Sequence, residues 1–307
     1  EYGPNTIVLM QVGSFFEIYA LKDENWKKIG SNKEEISSHC DLLIANKNQK
    51  VDNKSVLITG GTQGLGFEIA NQLIENGCSE IIIAGRNKKK GIIAEKKLLK
   101  KNVKVKYIMT DLSNAQECHN LIVESLKYFP KLNSLVNSAA VTSRGTIDNT
   151  STELWEEHMN VNLRAPFLLM QGLIKKLKKN KEPGSIVNIA STSSYVGQSF
   201  LTAYSTSKGG LLTLSKNTAL ALRKDKIRVN VVAPGWMNTP GEDEIQKKYH
   251  GASDDWVKKA EKTLPMGELV NPKKLAPLVC YLLSFSSGII TGSIINYDQQ
   301  IVGAVPE

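Results

Sequence analysis

Residues 54–66 read Lys-Ser-Val-Leu-Ile-Thr-Gly-Gly-Thr-Gln-Gly-Leu-Gly. The apolar run Val56–Ile58 has a polar start and a glycine stop, which predicts a buried parallel strand. After Gly66, apolar residues recur at helical spacing until Gly77 supplies a C-terminal stop. The order of strand, glycine turn and helix lets a backbone approach a dinucleotide pyrophosphate at a helix N-terminus.

The end of the next predicted strand, Ile81–Ala84, indicates which dinucleotide is bound. An NAD site usually carries a carboxylate here, which accepts a hydrogen bond from the ribose 2′-hydroxyl. This chain has Gly85 followed by Arg86, and a guanidinium would pair with a 2′-phosphate. We therefore expect NADP(H), with NAD less favoured; the alternative is that Arg86 is simply exposed in a lysine-rich loop.

Strand and helix signals alternate through residue 230. Further buried strands are predicted at Val105–Met109, Leu135–Val136, Ile186–Ile189, Ile227–Val232 and Ile294–Ile295. Such alternation implies a parallel sheet with helices on both faces and right-handed crossovers. We expect a Rossmann-type, doubly wound α/β domain over residues 51–307, preceded by a short N-terminal extension at residues 1–50.

A tyrosine and a lysine stand four residues apart in Ala-Tyr-Ser-Thr-Ser-Lys, and Ser191 lies thirteen residues before Tyr204. Positions i and i+4 share a helix face, so the phenol of Tyr204 and the ammonium of Lys208 would point into the same space. The cation would lower the phenol pKa and make it a usable general acid or base. Alone, the pair would usually be a solvated helix face, but the glycine turn upstream favours catalysis.

Together these motifs resemble the short-chain dehydrogenase/reductase family of the single-domain type, over about residues 51–303. Thr59–Gly66 resembles the family's T-G-x-x-x-G-x-G cofactor turn, and Asn137–Ala140 resembles its N-N-A-G segment. Pro234-Gly235 with Thr239 resembles the P-G-x-x-x-T segment that holds the nicotinamide carboxamide. Three departures from the family pattern are Ser138, which replaces the second asparagine, Ala140, where glycine is usual, and residues 298–300, where Asp-Gln-Gln replaces Asp-Gly-Gly.

The resemblance implies two sets of site residues. The catalytic set is Asn162, Ser191, Tyr204 and Lys208. The cofactor-binding set is Gly60, Thr62, Gln63, Gly64, Leu65, Gly66, Arg86, Asp111, Leu112, Asn137, Ala139, Tyr204, Lys208, Pro234, Gly235, Met237 and Thr239.

The resemblance also implies a role for each catalytic residue. Tyr204 would give a proton to a carbonyl oxygen, or take one from an alcohol. Lys208 would bind the nicotinamide ribose and depress the tyrosine pKa, and Ser191 would hydrogen-bond the developing alkoxide. Asn162 would anchor a water that links Lys208 to solvent. The expected reaction is hydride transfer between NADP(H) and a small-molecule carbonyl or alcohol.

Residues 241–264 interrupt the alternation with a polar stretch of helical tendency, which by the resemblance forms a substrate lid. Polar residues here and near the catalytic serine favour an oxygen-rich substrate, although lid exteriors are polar in any case. His250 is interpreted as a surface residue rather than a catalyst. The family resemblance also implies a homodimer or homotetramer, packed through the helices that carry Asn162 and Lys208.

Composition excludes several classes of protein. Hydrophobic residues are 41% and charged residues 22%, which is typical of a soluble globular chain. No apolar run approaches the 18 residues of a membrane span, and no signal peptide is recognised, so we expect a cytoplasmic protein without membrane contact. The four scattered cysteines are interpreted as reduced thiols, and no Cys/His cluster has metal-ligand spacing, so no metal is expected.

A nucleic-acid-binding protein that uses the N-terminal segment and a basic surface is the alternative function. The formal net charge is +9, and lysines cluster within residues 88–101 and 175–181. Aromatic residues do not alternate with these lysines, and lysine near a helix C-terminus complements the helix dipole, so nucleic acid is the less favoured partner.

Residues 13–17, Gly-Ser-Phe-Phe-Glu, resemble the G-x-F-Y-E of a MutS-type mismatch-recognition domain. There the aromatic wedges beside a mispaired base and the glutamate hydrogen-bonds it, so Phe15 and Glu17 are the matching residues. Because the segment is much shorter than that module, we interpret it as a truncated or fused remnant.

Overall fold

The structure is a computed structural model that describes residues 8–12, 15–19, 21–22, 28–29, 51–52, 54–99 and 103–304. The chain divides into two units, residues 1–48 and 49–307. The first contains an antiparallel pair, β1 (Val8–Val12) with β2 (Phe15–Tyr19), and a second pair, β3 (Leu21–Lys22) with β4 (Lys28–Ile29). Phe15 and Glu17 lie on β2, whereas Gly13, Ser14 and Cys40 lie outside the described residues.

A seven-stranded parallel sheet forms the centre of the second unit. Its strands are β5 (Ser55–Thr59), β6 (Glu80–Gly85), β7 (Lys104–Met109), β8 (Ser134–Asn137), β9 (Gly184–Ile189), β10 (Ile227–Pro234) and β11 (Ile294–Tyr297). Their spatial order is β7-β6-β5-β8-β9-β10-β11, with every neighbouring pair parallel. The order reverses between β5 and β8, which is the doubly wound arrangement predicted for a Rossmann-type fold.

Helices cover both faces of the sheet. The α-helices of the described residues are α1 (Gly64–Glu75), α2 (Lys88–Leu98), α3 (Ala115–Tyr128), α4 (Thr152–Met159), α5 (Ala165–Asn180), α6 (Thr202–Ala221), α7 (Pro240–His250), α8 (Trp256–Glu261) and α9 (Pro272–Leu283), of which α7 and α8 lie in the predicted lid. On β5, Val56 and Ile58 pack with α1, α2 and α9, whereas Leu57 packs with α3 and α5 on the opposite face. Alternate residues of a strand point to opposite faces, so an all-apolar strand needs both layers of helices.

The predicted strands agree with the observed ones to within two residues at their ends. The predicted Val56–Ile58 is extended by one residue at each end, and the predicted Ile227–Val232 continues to Pro234. The predicted lid at residues 241–264 contains α7 and α8. In the described part of the chain, no helix is both long enough and apolar enough to cross a membrane.

Candidate active site

The carboxyl ends of the central strands open into a cleft of about 860 Å³. Its walls come from the turn after β5, the segments after β8, β9 and β10, helix α6 and the lid helix α7. In a doubly wound sheet, the reversal of strand order leaves a crevice at this edge, where ligands bind. Most residues predicted to hold the cofactor and substrate therefore line one continuous space.

The backbone of the glycine turn lies so close to neighbouring backbone that a side chain at Gly60 or Gly66 would not fit. Gly60 has a φ of +67°, and a Cβ there would lie 2.9 Å from the backbone of Ala139. A Cβ on Gly66 would collide with the carbonyl of Gly60. Thr59 fixes the opposite wall, because its Oγ1 accepts hydrogen bonds from the backbone N–H groups of Ser138 (3.2 Å) and Ala139 (3.3 Å). The N-terminus of α1 therefore faces an open backbone cradle, which fits a pyrophosphate.

Two cations line the end of the cleft beyond the turn. Arg86 follows β6, is exposed, and lies 3.5 Å from the carboxylate of Glu157. Lys90 donates a 2.8 Å hydrogen bond to Gln63 Oε1 and lies 3.7 Å from Glu244 on the lid. Arg86 was predicted from the sequence as a cofactor residue, whereas Lys90 was not. The sequence contains a signal for Lys90, because this residue lies one helical turn beyond Arg86 at the start of α2.

Most of the predicted cofactor residues line the cleft, but Asp111 and Asn137 do not. Asp111 accepts hydrogen bonds from the backbone N–H (2.9 Å) and hydroxyl (2.8 Å) of Ser113, which brace the turn that carries Leu112. Asn137 is buried and donates to Asn188 Oδ1 at 2.8 Å, joining β8 to β9. In the structure, both side chains support the cleft wall instead of facing the cleft.

Lys208 lies buried in the wall that also carries Tyr204. Its side chain is 2% exposed, and Nζ donates a 2.7 Å hydrogen bond to the carbonyl of Ile189 at the end of β9. Desolvation lowers the pKa of Lys208 to about 8. Nζ lies 5.9 Å from the centroid of the Tyr204 ring, so the cation and the phenol share one side of α6, as their spacing predicted.

The pKa of Tyr204 differs from the sequence-based expectation. The side chain as a whole is only partly buried, but burial around the hydroxyl raises its pKa, and a hydrogen bond with Ser191 acts in the opposite direction. Among the charges that act on it, Glu242 raises the pKa and Arg144 lowers it. Lys208 is not among these charges. The expected lowering of the Tyr204 pKa by Lys208 is therefore absent from this structure.

Ser191 and Asn162 reach the site from different elements. Ser191 follows β9, and its Oγ accepts a 3.1 Å hydrogen bond from Ser193 N while also bonding to Tyr204. Asn162 lies in a π-helical turn at residues 160–164, between α4 and α5, and does not line the cleft. Its Oδ1 accepts from Val141 N (2.8 Å), and its Nδ2 donates to Val141 O (3.0 Å) and to Ser207 Oγ (3.1 Å).

A charged pair between the lid and the main wall lines the remaining side of the cleft, and the sequence analysis missed it. Arg144 Nη2 lies 3.3 Å from Glu242 Oε1, which also accepts from Trp236 Nε1 (3.0 Å) and Gln246 Nε2 (2.7 Å). His250, interpreted as a surface residue, is exposed and also lines the cleft. These contacts depend on the lid docking against the loop after β8, which local sequence patterns do not encode.

Cys78, Cys118 and Cys280 are buried free thiols. Over the described ranges, no group of three or more His, Cys, Asp or Glu side chains could hold a metal ion.

Residues 54–250 match the family model described as short chain dehydrogenase. An NADP-dependent (R)-specific alcohol dehydrogenase of Lentilactobacillus kefiri is 30% identical over 246 residues, which are 80% of this chain and 94% of the relative. A 3-oxoacyl-acyl-carrier-protein reductase of Aquifex aeolicus is 30% identical over 81% of this chain and 97% of its own. Among solved structures, an actinorhodin polyketide ketoreductase with NADPH is similar, with a TM-score of 0.77 and 26% identity, covering 83% of this chain and 100% of that chain. The family model begins at residue 54, so the interpretation of residues 13–17 as mismatch-recognition-like stays a prediction.

Proposed function

The chain belongs to the short-chain dehydrogenase family, and on that premise we propose that it transfers a hydride between NADP(H) and a carbonyl or alcohol carbon, with Tyr204 as the general acid or base. The observation that carries this proposal is the set of side chains that lines one wall of the cleft. Tyr204, Ser191 and Lys208 line it, in a space that is continuous with the open backbone cradle at the start of α1. That arrangement places proton-exchanging groups in the same cleft as a dinucleotide-sized cradle.

In the reducing direction, Tyr204 gives its phenolic proton to the carbonyl oxygen. Ser191 donates a hydrogen bond to the same oxygen as negative charge develops on it. Lys208, whose amine is held by the carbonyl of Ile189, would bind the nicotinamide ribose when the cofactor is present. The bound cofactor supplies the hydride to the carbon, so the C=O bond becomes an alcohol. In oxidation the same proton transfer runs backwards, and Tyr204 acts as the base.

The raised pKa of Tyr204 suits the reducing direction. At neutral pH the phenol stays protonated and ready to donate. The pKa of Lys208 is about 8, so most of its amine carries a charge at pH 7 and can donate hydrogen bonds to the nicotinamide ribose. Above pH 8 that charge is lost, and the contribution of Lys208 to cofactor binding should decline with it.

NADP(H) is the cofactor that the far end of the cleft favours. Arg86 and Lys90 line this end of the cleft and could pair with a ribose 2′-phosphate, and Gly85 stands where an NAD site carries its carboxylate. An NADP-dependent dehydrogenase and an NADPH-bound ketoreductase are among the similar proteins, which agrees with this assignment.

The proposal also includes the location of the protein, its assembly and the polarity of its substrate. The cytoplasm is the proposed location, and a homodimer or homotetramer is the proposed assembly. The outer faces of α5 and α6 carry Phe167 and Leu220, two exposed apolar side chains that suit a contact with a second copy. Polar residues around the cleft, such as Ser193, Gln198 and Gln246, suit an oxygen-rich substrate.

Substitution of the phenol tests the proposed acid directly. We expect Tyr204→Phe to abolish NADPH oxidation, by at least about 10³-fold, because general acid catalysis and Ser191 alignment are lost together. NADPH affinity, measured by fluorescence titration, should stay within about threefold of wild type. Tyr195→Phe is the matched control, since Tyr195 is exposed and does not line the cleft. Undiminished turnover in Tyr204→Phe would refute the assignment.

A further inference from the structure

Gln299 stands where the family usually has glycine, and its side chain lies against residues 266–268, which follow the lid. Its Oε1 accepts a 2.6 Å hydrogen bond from Met266 N, and its Nε2 donates a 2.7 Å hydrogen bond to Glu268 O. Both partners are backbone groups of the segment through which the chain returns from α8. One side chain therefore satisfies a donor and an acceptor in the same short stretch.

That return segment forms part of the cleft. Leu264, at its start, lines the cleft directly. At its end, Val270 N donates to Trp236 O (2.8 Å), and Asn238 N donates to Val270 O (3.1 Å). The segment is thus fixed by backbone pairing at residue 270, whereas Gln299 holds residues 266–268, nearer to Leu264.

The backbone of Gln299 is itself held next to the predicted nicotinamide segment. Its N–H donates a 2.8 Å hydrogen bond to Asp298 Oδ1. The Asp298 carboxylate lies so close to Gly235 that a Cβ on that glycine would collide with it. A continuous series of contacts therefore joins the segment after β10, through Asp298 and Gln299, to the lid.

We propose that Gln299 is a positioning residue that holds the lid's return segment, and with it Leu264, closed over the substrate side of the cleft. The inference rests on the proposed function, because it assigns the space beside Leu264 to the carbonyl or alcohol substrate. Gln299 takes no part in proton or hydride transfer. Its loss should weaken substrate binding and loosen the lid while cofactor affinity stays constant.

Limited trypsin digestion of the full chain measures the lid without requiring any reaction. Lys258, Lys259 and Lys262 are exposed on or beside α8, and cleavage there needs local opening of the lid. We expect Gln299→Ala to be cut at these lysines roughly tenfold faster than wild type, the scale expected for two hydrogen bonds. Gln300→Ala is the matched control. It removes the same side-chain amide one position later, and no hydrogen bond of the exposed Gln300 side chain occurs within residues 103–304. Because Gln300 also lines the cleft, this variant is a control for cleavage and not for KM. It should be cut at the wild-type rate.

Steady-state kinetics provides the second measurement. Gln299→Ala should raise the KM for the carbonyl substrate roughly tenfold, with the NADPH Kd unchanged and a smaller effect on kcat. Gln299→Glu keeps the acceptor for Met266 N but loses the donor to Glu268 O, so it should fall between wild type and Gln299→Ala. If Gln299→Ala folds poorly, Gln299→Glu takes its place in both measurements.

The two proposals fail in distinguishable ways. Equal lid cleavage in Gln299→Ala and Gln300→Ala, with an unchanged KM, would overturn the positioning role while leaving the dehydrogenase assignment intact. Faster lid cleavage only in the Gln299 variants, in a protein that reduces no carbonyl compound, would support the lid contact and contradict the proposed reaction.

Discussion

Tyr204 and Lys208 lie on one side of α6, with the lysine Nζ 5.9 Å from the centroid of the tyrosine ring. Lys208 Nζ donates to the carbonyl of Ile189 on β9, and burial raises the pKa of Tyr204. The i, i+4 spacing predicts that the two side chains share a side of the helix, but it contains no information on how deeply the hydroxyl is buried. The direction of the pKa shift therefore follows only from the structure.

Arg86 tests the choice between cofactors. We expect Arg86→Ala to weaken NADPH binding by about 10- to 100-fold, because the guanidinium would lose a charge-assisted pair with the 2′-phosphate. NADH lacks that phosphate, so its affinity should change by less than about twofold. Lys89→Ala is the control, since Lys89 is an exposed neighbouring cation that does not line the cleft. Equal losses for NADPH and NADH in fluorescence titrations would argue against the 2′-phosphate role.

Lys54 gives a prediction about stability rather than activity. It is 4% exposed, its Nζ lies 4.6 Å from the Phe285 ring centroid, and desolvation lowers its pKa to about 8. Between about pH 8 and pH 10.5 the unfolded chain binds more protons at this residue than the folded one. The destabilisation caused by Lys54 is therefore complete below pH 8 and disappears as the pH approaches 10.5.

Lys54→Met should accordingly raise the free energy of unfolding at pH 7 by about 1–3 kcal/mol. The gain should shrink toward zero by about pH 10.5, as measured by urea denaturation at several pH values. Lys96→Met, at an exposed position on α2, should stay within about 0.5 kcal/mol of wild type throughout. A gain that does not depend on pH would show that charge burial is not its cause.

Among the elements, strands and helices with strong patterns were predictable and those that depend on tertiary packing were not. β5 and α1 follow from local apolar spacing and glycine stops. The π-helical turn at residues 160–164 does not, since Asn-Val-Asn-Leu-Arg carries no local signal for the extra residue. Its register is supported by hydrogen bonds between Asn162 and the distant residues Val141 and Ser207. The lid contacts of Arg144 and Gln299 lay beyond local patterns for the same reason.

The packing of the glycine turn against α1 can be tested by a substitution at Gly66. Gly66→Ala places a methyl group against the Gly60 carbonyl, so the turn has to shift. We expect a stability loss of about 1–3 kcal/mol and a fall in NADPH affinity of at least about tenfold. Gly197→Ala adds the same methyl group where a Cβ meets nothing within 4 Å, and it should bind NADPH like wild type. Normal NADPH binding by Gly66→Ala would contradict the close packing described here.

For the whole molecule, topology unites residues that lie far apart in sequence. The reversal of strand order between β5 and β8 brings the glycine turn beside the segments that follow β8, β9 and β10. Alternating strand and helix signals predicted this class of fold, and the seven-stranded parallel sheet confirms it. The unit at residues 1–48 is separate in the contact pattern, and its proposed origin as a fused remnant rests on the short motif at residues 13–17.

The most direct test of the central claim is isotope transfer from cofactor to substrate. The wild-type protein would be mixed with NADPH deuterated at nicotinamide C4 and a panel of aldehydes, ketones, keto-sugars and acyl thioesters, and the products read by mass spectrometry and NMR. We predict an alcohol that carries one deuterium on its new carbinol carbon, absent when Tyr204→Phe replaces the wild type. An alcohol without that label, or no alcohol from any compound while NADPH remains bound, would contradict the account.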